Sequence, residues 1–202
     1  MTSAESRSTR LLAAGGVIGP AAFLSAWAVQ GLRTPGYSPV QDAISRLAAA
    51  GAPTRAGMTA GFIVFGAGLP AYAVALRRFL PGPAWIAAAT TGLATLGVAA
   101  LPLDAGVDAA HGAFAGVGYV SLAAVPLCAA VPLNRAGRRG WAAASVVTGL
   151  VSAASLAATL AGSRHGLFQR AGLTVTDLWV AATAAAMMSG RWPRRVGPNA
   201  VR

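Results

Sequence analysis

The chain has no lysine, a single cysteine, two histidines and five acidic residues among 202. One cysteine, Cys128, excludes an intramolecular disulfide and any site built from several thiolates. Charge is scarce: 10% of residues are charged, against about 25% in a soluble domain. A chain this poor in charge cannot cover a surface that faces water on every side, and with 55% hydrophobic residues a bilayer is its simplest solvent. The net charge of +11 comes from 16 Arg against the five acids. Such a balance suits nucleic acid when the basic residues gather on one face. Here they fall in short clusters between apolar runs, which is the pattern of membrane loops, so the bilayer and not nucleic acid is the expected partner.

Six apolar runs of roughly 20 residues, the length that spans about 30 Å of hydrocarbon, cover residues 11–32, 56–76, 84–103, 112–133, 141–162 and 173–190. A single run in lipid satisfies its own backbone only as a helix. The expected fold is therefore all-α, a polytopic bundle of six transmembrane helices over residues 11–190, with tails at 1–10 and 191–202. Read as a cleaved signal peptide, the first run would have Arg7 and Arg10 as its basic region. It is long for that role, and its removal would spoil the charge pattern. Eleven Arg fall on one side of the six runs (7, 10, 77, 78, 135, 138, 139, 191, 194, 195 and 202) and five on the other (33, 46, 55, 164 and 170). The positive-inside rule places both termini in the cytoplasm of a multi-pass cell-membrane protein. The pairs Gly15/Gly19, Gly57/Gly61 and Gly112/Gly116 have the small-xxx-small spacing of close helix contacts. Pro20, Pro70, Pro126 and Pro132 predict local kinks.

The loop between the first two runs has a helix-start signal in Ser38, Pro39 and Gln41 and a stop at Gly51. A short interfacial helix is expected over about 39–50, with Asp42 and Arg46 paired at i,i+4 spacing and Ser45 on the same polar face.

Almost everything capable of chemistry maps to the extracytoplasmic side: Asp42, Asp104, Asp108, His111, His165 and Asp177, joined by Arg164 and Arg170. If residues 104–111 are helical, Asp104, Asp108 and His111 share one face. Two carboxylates and an imidazole there are candidate ligands for a divalent metal, or a candidate acid/base set in which Asp108 orients His111. The plainer alternative is a hydrogen-bonded polar cap at a helix start. Asp177 lies about four residues inside the last run. A carboxyl in lipid is costly, so Arg170, Arg164, His165 or His111 is expected to face it, either in a functional site, the default reading of such a residue, or in a buried structural ion pair.

Tyr37-Ser38-Pro39 followed by Ala43-Ile44-Ser45-Arg46-Leu47 resembles one motif of the membrane family called domain of unknown function 998. Leu101-Pro102-Leu103-Asp104 with His111 resembles a second, and Gly166-Leu167-Phe168-Gln169-Arg170 with Trp179 a third. The family pattern has Phe where 101 is Leu and Glu where 169 is Gln; the second change removes a carboxylate. The resemblance implies a six-span bundle and carries no activity with it. Its motifs coincide with the extracytoplasmic cluster.

The leading expectation is a binding protein for a lipid headgroup or small polar ligand. Asp104, Asp108 and His111 would form one wall, and Arg164, Arg170 and Asp177 another, with Arg meeting phosphate or carboxylate and Asp42, Ser45 and Arg46 contributing from the loop. The alternative is a metal- or His/Asp-dependent hydrolase at the outer leaflet. A structural protein and a proton-coupled transporter are further readings, the last weakened by the apolar inner halves of the helices.

Overall fold

A computed structural model describes residues 3–162 and 164–190; the Arg-rich tail expected at 191–202 lies outside them. Seven α-helices follow in order: α1 (Ser3–Ala13), α2 (Gly15–Arg33), α3 (Arg55–Phe79), α4 (Ala84–Ala100), α5 (Asp108–Arg135), α6 (Arg139–Ala158) and α7 (His165–Met188). A 3₁₀ segment, Ile44–Ala48, sits between α2 and α3, and no strand occurs among the described residues. The chain is an all-helical bundle of membrane type. Among the described residues five stretches are long and apolar enough to cross a bilayer: Arg7–Arg33, Arg55–Phe79, Asp108–Arg135, Arg139–Ala158 and His165–Met188. The sixth apolar helix, Ala84–Ala100, is shorter.

Each helix from α2 to α7 packs on the next, and α7 returns against α2 to close the ring. Small residues make that closeness possible. Gly15 and Gly68 oppose one another across α2 and α3, Gly61 faces Ala26, and Gly66 faces Gly92 across α3 and α4. With lipid outside there is no hydrophobic drive between helices, so such contacts and buried hydrogen bonds hold the bundle. The bonds include Tyr72 to Thr183 (2.8 Å), Trp179 Nε1 to Ser145 Oγ (3.0 Å) and Ser152 Oγ to the Gly172 carbonyl (2.8 Å). The expected contacts of Gly112 and Gly116 do not form; open space surrounds both, on an outward face of α5.

Two other expectations change. The first run extends into the N-terminal segment, where α1 is helical, and its only break is at Ala14. The two glycines that follow hold a helix weakly, and Pro20 lacks the donor that the Gly16 carbonyl would meet. Finally, α7 begins at His165, eight residues before its apolar run, because Gly166, Gln169 and Arg170 are buried against the loop between α2 and α3. Tertiary burial, not hydropathy, makes that polar turn helical.

Candidate functional site

The loop between α2 and α3 is a plug inserted into the bundle. Ile44 and Leu47 are each 1% exposed. Instead of a helix over 39–50, the structure has turns and one 3₁₀ segment. The local chemistry explains this. The Ser38 amide donates to Asp42 Oδ2 (2.7 Å), and the Gln41 amide reaches Ser38 Oγ (3.3 Å). Asp42 thus takes the place foreseen for Gln41 and closes a turn over itself. Drawn into that turn, its carboxylate does not meet Arg46.

Arg170 holds the plug. Its Nη1 donates to the carbonyls of Pro39 (2.7 Å), Asp42 (2.9 Å) and Gly166 (2.9 Å), and its Nη2 donates to the Tyr37 hydroxyl. Its guanidinium lies 5.2 Å from the Trp27 ring centre and 5.4 Å from that of Tyr37. Planar and always charged, guanidinium is suited to being stacked and hydrogen-bonded at once. Tyr37 in turn donates to the Ala43 carbonyl (3.1 Å). Burial pushes the Tyr37 hydroxyl above its ordinary value, with the Arg170 charge opposing. The expected role of Arg170, binding an anionic ligand, is therefore corrected: its hydrogen bonds serve the chain's own carbonyls.

Gln169 completes the attachment. Its Oε1 accepts from the Ile44 amide (2.9 Å), and its Nε2 donates to the Tyr119 hydroxyl. Behind this seam lies a cavity between the plug and helices α2, α3, α4, α5 and α7. About 60 Å³ of it is open to the centres of water-sized molecules, and the whole space out through its mouth is about 550 Å³. A single water needs about 10–15 Å³ on the first measure. Phe23, Phe62, Phe65 and Phe114 supply aromatic wall. Phe114, packed over Gly97 of α4, is 41% exposed and brings the cavity wall to the surface of the bundle.

Two titratable groups of the expected cluster line this cavity. Asp177 is 1% exposed, and neither carboxyl oxygen has a hydrogen-bond partner. The expected cation does not face it. Because α7 starts at His165, Asp177 stands twelve residues along it, about 18 Å of helix rise, and Arg170 is two turns behind and committed to the plug. His111 is 4% exposed, and its Nδ1 lies 2.6 Å from the Leu101 carbonyl. A carbonyl only accepts, so Nδ1 carries a proton, which leaves Nε2 as the acceptor whenever the ring holds a single proton.

The other expected members lie elsewhere. Asp104 does not share a helix face with Asp108 and His111, since it sits in a turn at φ 62° and α5 begins only at Asp108. Asp108 Oδ1 accepts from the Asp104 amide (2.8 Å), so it caps the turn. The Asp104 carboxylate takes both oxygens to Arg46 Nη1 (3.0 and 2.9 Å) at the surface. The three candidate metal ligands therefore do not converge, and among the described residues no three His, Cys, Asp or Glu side chains gather as a metal site. Ser45 lines the cavity; Asp42, Arg46, Arg164 and His165 do not.

Tyr119, Thr91, Thr95 and the phenylalanines were not foreseen as lining. Spacing held the signal: Gln169, Leu173 and Asp177 recur every fourth residue of α7, and His111, Ala115, Gly118 and Leu122 fall on one stripe of α5.

Comparison with known proteins adds a family and no activity. The family described as "Protein of unknown function (DUF998)" matches residues 17–186, which takes in α3 to α6 whole and nearly all of α2 and α7. No curated protein and no solved structure matches the chain.

Proposed function

The chain belongs to the DUF998 family, and from that premise we propose that it is a six-span membrane protein that binds a small polar ligand or lipid headgroup in the cavity behind the plug. The observation that carries this reading is a buried, partly polar cavity whose wall includes an unpartnered carboxyl and an imidazole with a free acceptor nitrogen. Buried polar groups are ordinarily satisfied, and an exception calls for a function or a bound molecule. Pockets of this kind, mostly apolar with a few convergent polar groups, are the usual form of small-molecule sites.

The six-span count rests on connection. α3 leaves the plug end of the bundle and α5 returns from it, since Ala50 bonds the Leu103 carbonyl (2.8 Å) and Arg46 bonds Asp104. α4 therefore has to carry the chain back across, and its 17 residues rise about 26 Å, close to a hydrocarbon thickness. Arg77, Arg78, Arg135, Arg138 and Arg139 mark the opposite end. The positive-inside rule puts that end, and both termini, in the cytoplasm and opens the cavity to the extracytoplasmic half. Reporter fusions at Arg78 and Gly106 are expected on opposite sides, and a shared side removes the topology.

A second reading, a hydrolase, has one observation in its favour. With Nδ1 pinned by Leu101, His111 presents Nε2 as a base held in one orientation inside a cavity. Native mass spectrometry in mild detergent tests the binding reading, comparing the natural chain with an Asp177→Asn/His111→Gln variant. A co-purified small molecule or lipid lost from a variant that keeps its helical spectrum is the expected result. A bare natural chain taken directly from native membranes sinks it.

A further inference from the structure

We infer that the ligand of this cavity is an organic ammonium ion, an inference that rests on the cavity being a binding site. The first ground is charge. Among the described residues the charged or titratable side chains on the wall are Asp177, His111 and Tyr119, with no arginine, and the chain has no lysine. An ionised carboxylate without a partner is among the costliest groups to bury, so a carboxyl with two open oxygens selects for positive charge.

The second ground is the inventory of donors and acceptors. Thr95 Oγ1 donates to the Thr91 carbonyl (2.9 Å) and keeps its lone pairs for the cavity. His111 offers Nε2, again an acceptor. Both ends of Gln169 are occupied, by Ile44 and by Tyr119. Ser45 and Tyr119 each bring a hydroxyl proton, but no cationic donor stands among these acceptors, and a cationic donor is what phosphate or carboxylate requires.

The third ground is the aromatic wall. Phe62, Phe65, Phe114 and Tyr119 line the same cavity as the carboxyl, and aromatic walls are surroundings in which alkylammonium ions are stabilised. A hard metal cation wants six or more oxygens, or water held by them, and the phenylalanines leave no such set. The ammonium can belong to a free amine or to a lipid headgroup, which would approach where Phe114 brings the wall to the surface of the bundle.

The full chain in an uncharged maltoside detergent is titrated with methylammonium, choline, the neutral choline isostere 3,3-dimethylbutan-1-ol, and phosphate, read by native mass spectrometry and thermal shift. At least one ammonium probe is expected to bind ten times more tightly than the isostere. Asp177→Asn is expected to erase that preference while leaving the isostere unchanged. If the asparagine variant does not fold, Phe62→Leu replaces it, with a several-fold loss for the ammonium alone. Equal binding of cation and isostere, an unchanged preference in the variant, or binding of phosphate instead overturns the ammonium assignment and leaves the binding reading standing. No binding of any probe, together with a bare chain from native membranes, overturns both. Repeating the titration in discs of phosphatidylethanolamine and of phosphatidylglycerol separates the sources. Competition by the former alone assigns the headgroup, and undisturbed binding in both assigns a free amine.

Discussion

Asp104 and Asp177 are the same residue in opposite circumstances. Asp104 stands on the rim, its side chain about half exposed and paired in duplicate with Arg46. Asp177 stands in the cavity, 1% exposed and paired with nothing. A surface pair of that kind contributes about 0–1 kcal/mol, whereas an uncompensated buried polar group costs several times more. A contact seen in the structure is thus weak evidence of importance on the rim, and a missing contact is strong evidence of function within. Arg170 and Arg46 make the same contrast among the cations: one is buried and bonded to three carbonyls, the other exposed and bonded to one carboxylate.

The contrast breaks hardest at Arg170. Replacing it with Met leaves the carbonyls of Pro39, Asp42 and Gly166 without that donor. Each orphaned buried group costs about 1–3 kcal/mol, so a loss of at least about 3 kcal/mol is expected. Denaturant unfolding in detergent reads it. Arg170→Lys is expected to recover only part, since an ammonium lacks the planar fork. An unfolding midpoint equal to the natural chain's would show that the plug does not depend on this residue.

Asp177 gives the opposite sign. In the empty protein, Asp177→Leu removes two unsatisfied oxygens and is expected to raise stability by about 1–3 kcal/mol while abolishing ligand binding. A stability–function trade of this kind is what a site residue shows and a structural one does not. A destabilised Leu variant would mean that Asp177 has a partner in the membrane-embedded protein, and the reading of the cavity would change.

These two predictions also locate what was legible in the sequence. The helical membrane bundle follows from run length and from scarcity of charge. The grouping of Asp, His and Arg at one end was readable as well. Which of them face one another was not, because turn geometry settles that. Asp42 bends back on Ser38, Asp104 adopts a left-handed conformation that only a few residue types tolerate, and α5 starts at Asp108 and not before. The start of α7 was unreadable for a different reason. Its first turn is polar, and only burial under the plug makes it helical. Had α7 been seen to begin at His165, the every-fourth-residue row Gln169, Leu173 and Asp177 would have pointed into the bundle together.

Tyr37 lies between the rim and the cavity in both position and expected effect. As a neutral phenol it accepts from Arg170 and donates to the Ala43 carbonyl (3.1 Å); as a phenolate it would lose the donation. Burial holds its pKa above the usual value near 10 in the folded chain. The folded state therefore keeps the proton that the unfolded chain releases. Stability is flat below about pH 10 from this group and declines as the pH rises from there through the folded value. Tyr37→Phe is expected to cost about 1 kcal/mol at neutral pH and to flatten the alkaline decline. An unchanged decline in the variant would assign it to other groups.

The smallest effect belongs to the rim pair, and its smallness is informative. Arg46→Gln and Asp104→Asn are each expected to change stability by less than about 1 kcal/mol, and the double variant by no more than either. The natural chain's small advantage is expected to vanish between low salt and about 1 M salt, where the Debye length falls to about 3 Å. Asparagine is the right replacement at 104 because it tolerates φ 62° and so removes charge without adding strain. Ammonium binding is expected to be unmoved, since neither side chain lines the cavity. If instead either rim variant weakens binding tenfold, the rim guides the ligand to its mouth, and exposed and buried carboxylates belong to one path rather than two environments.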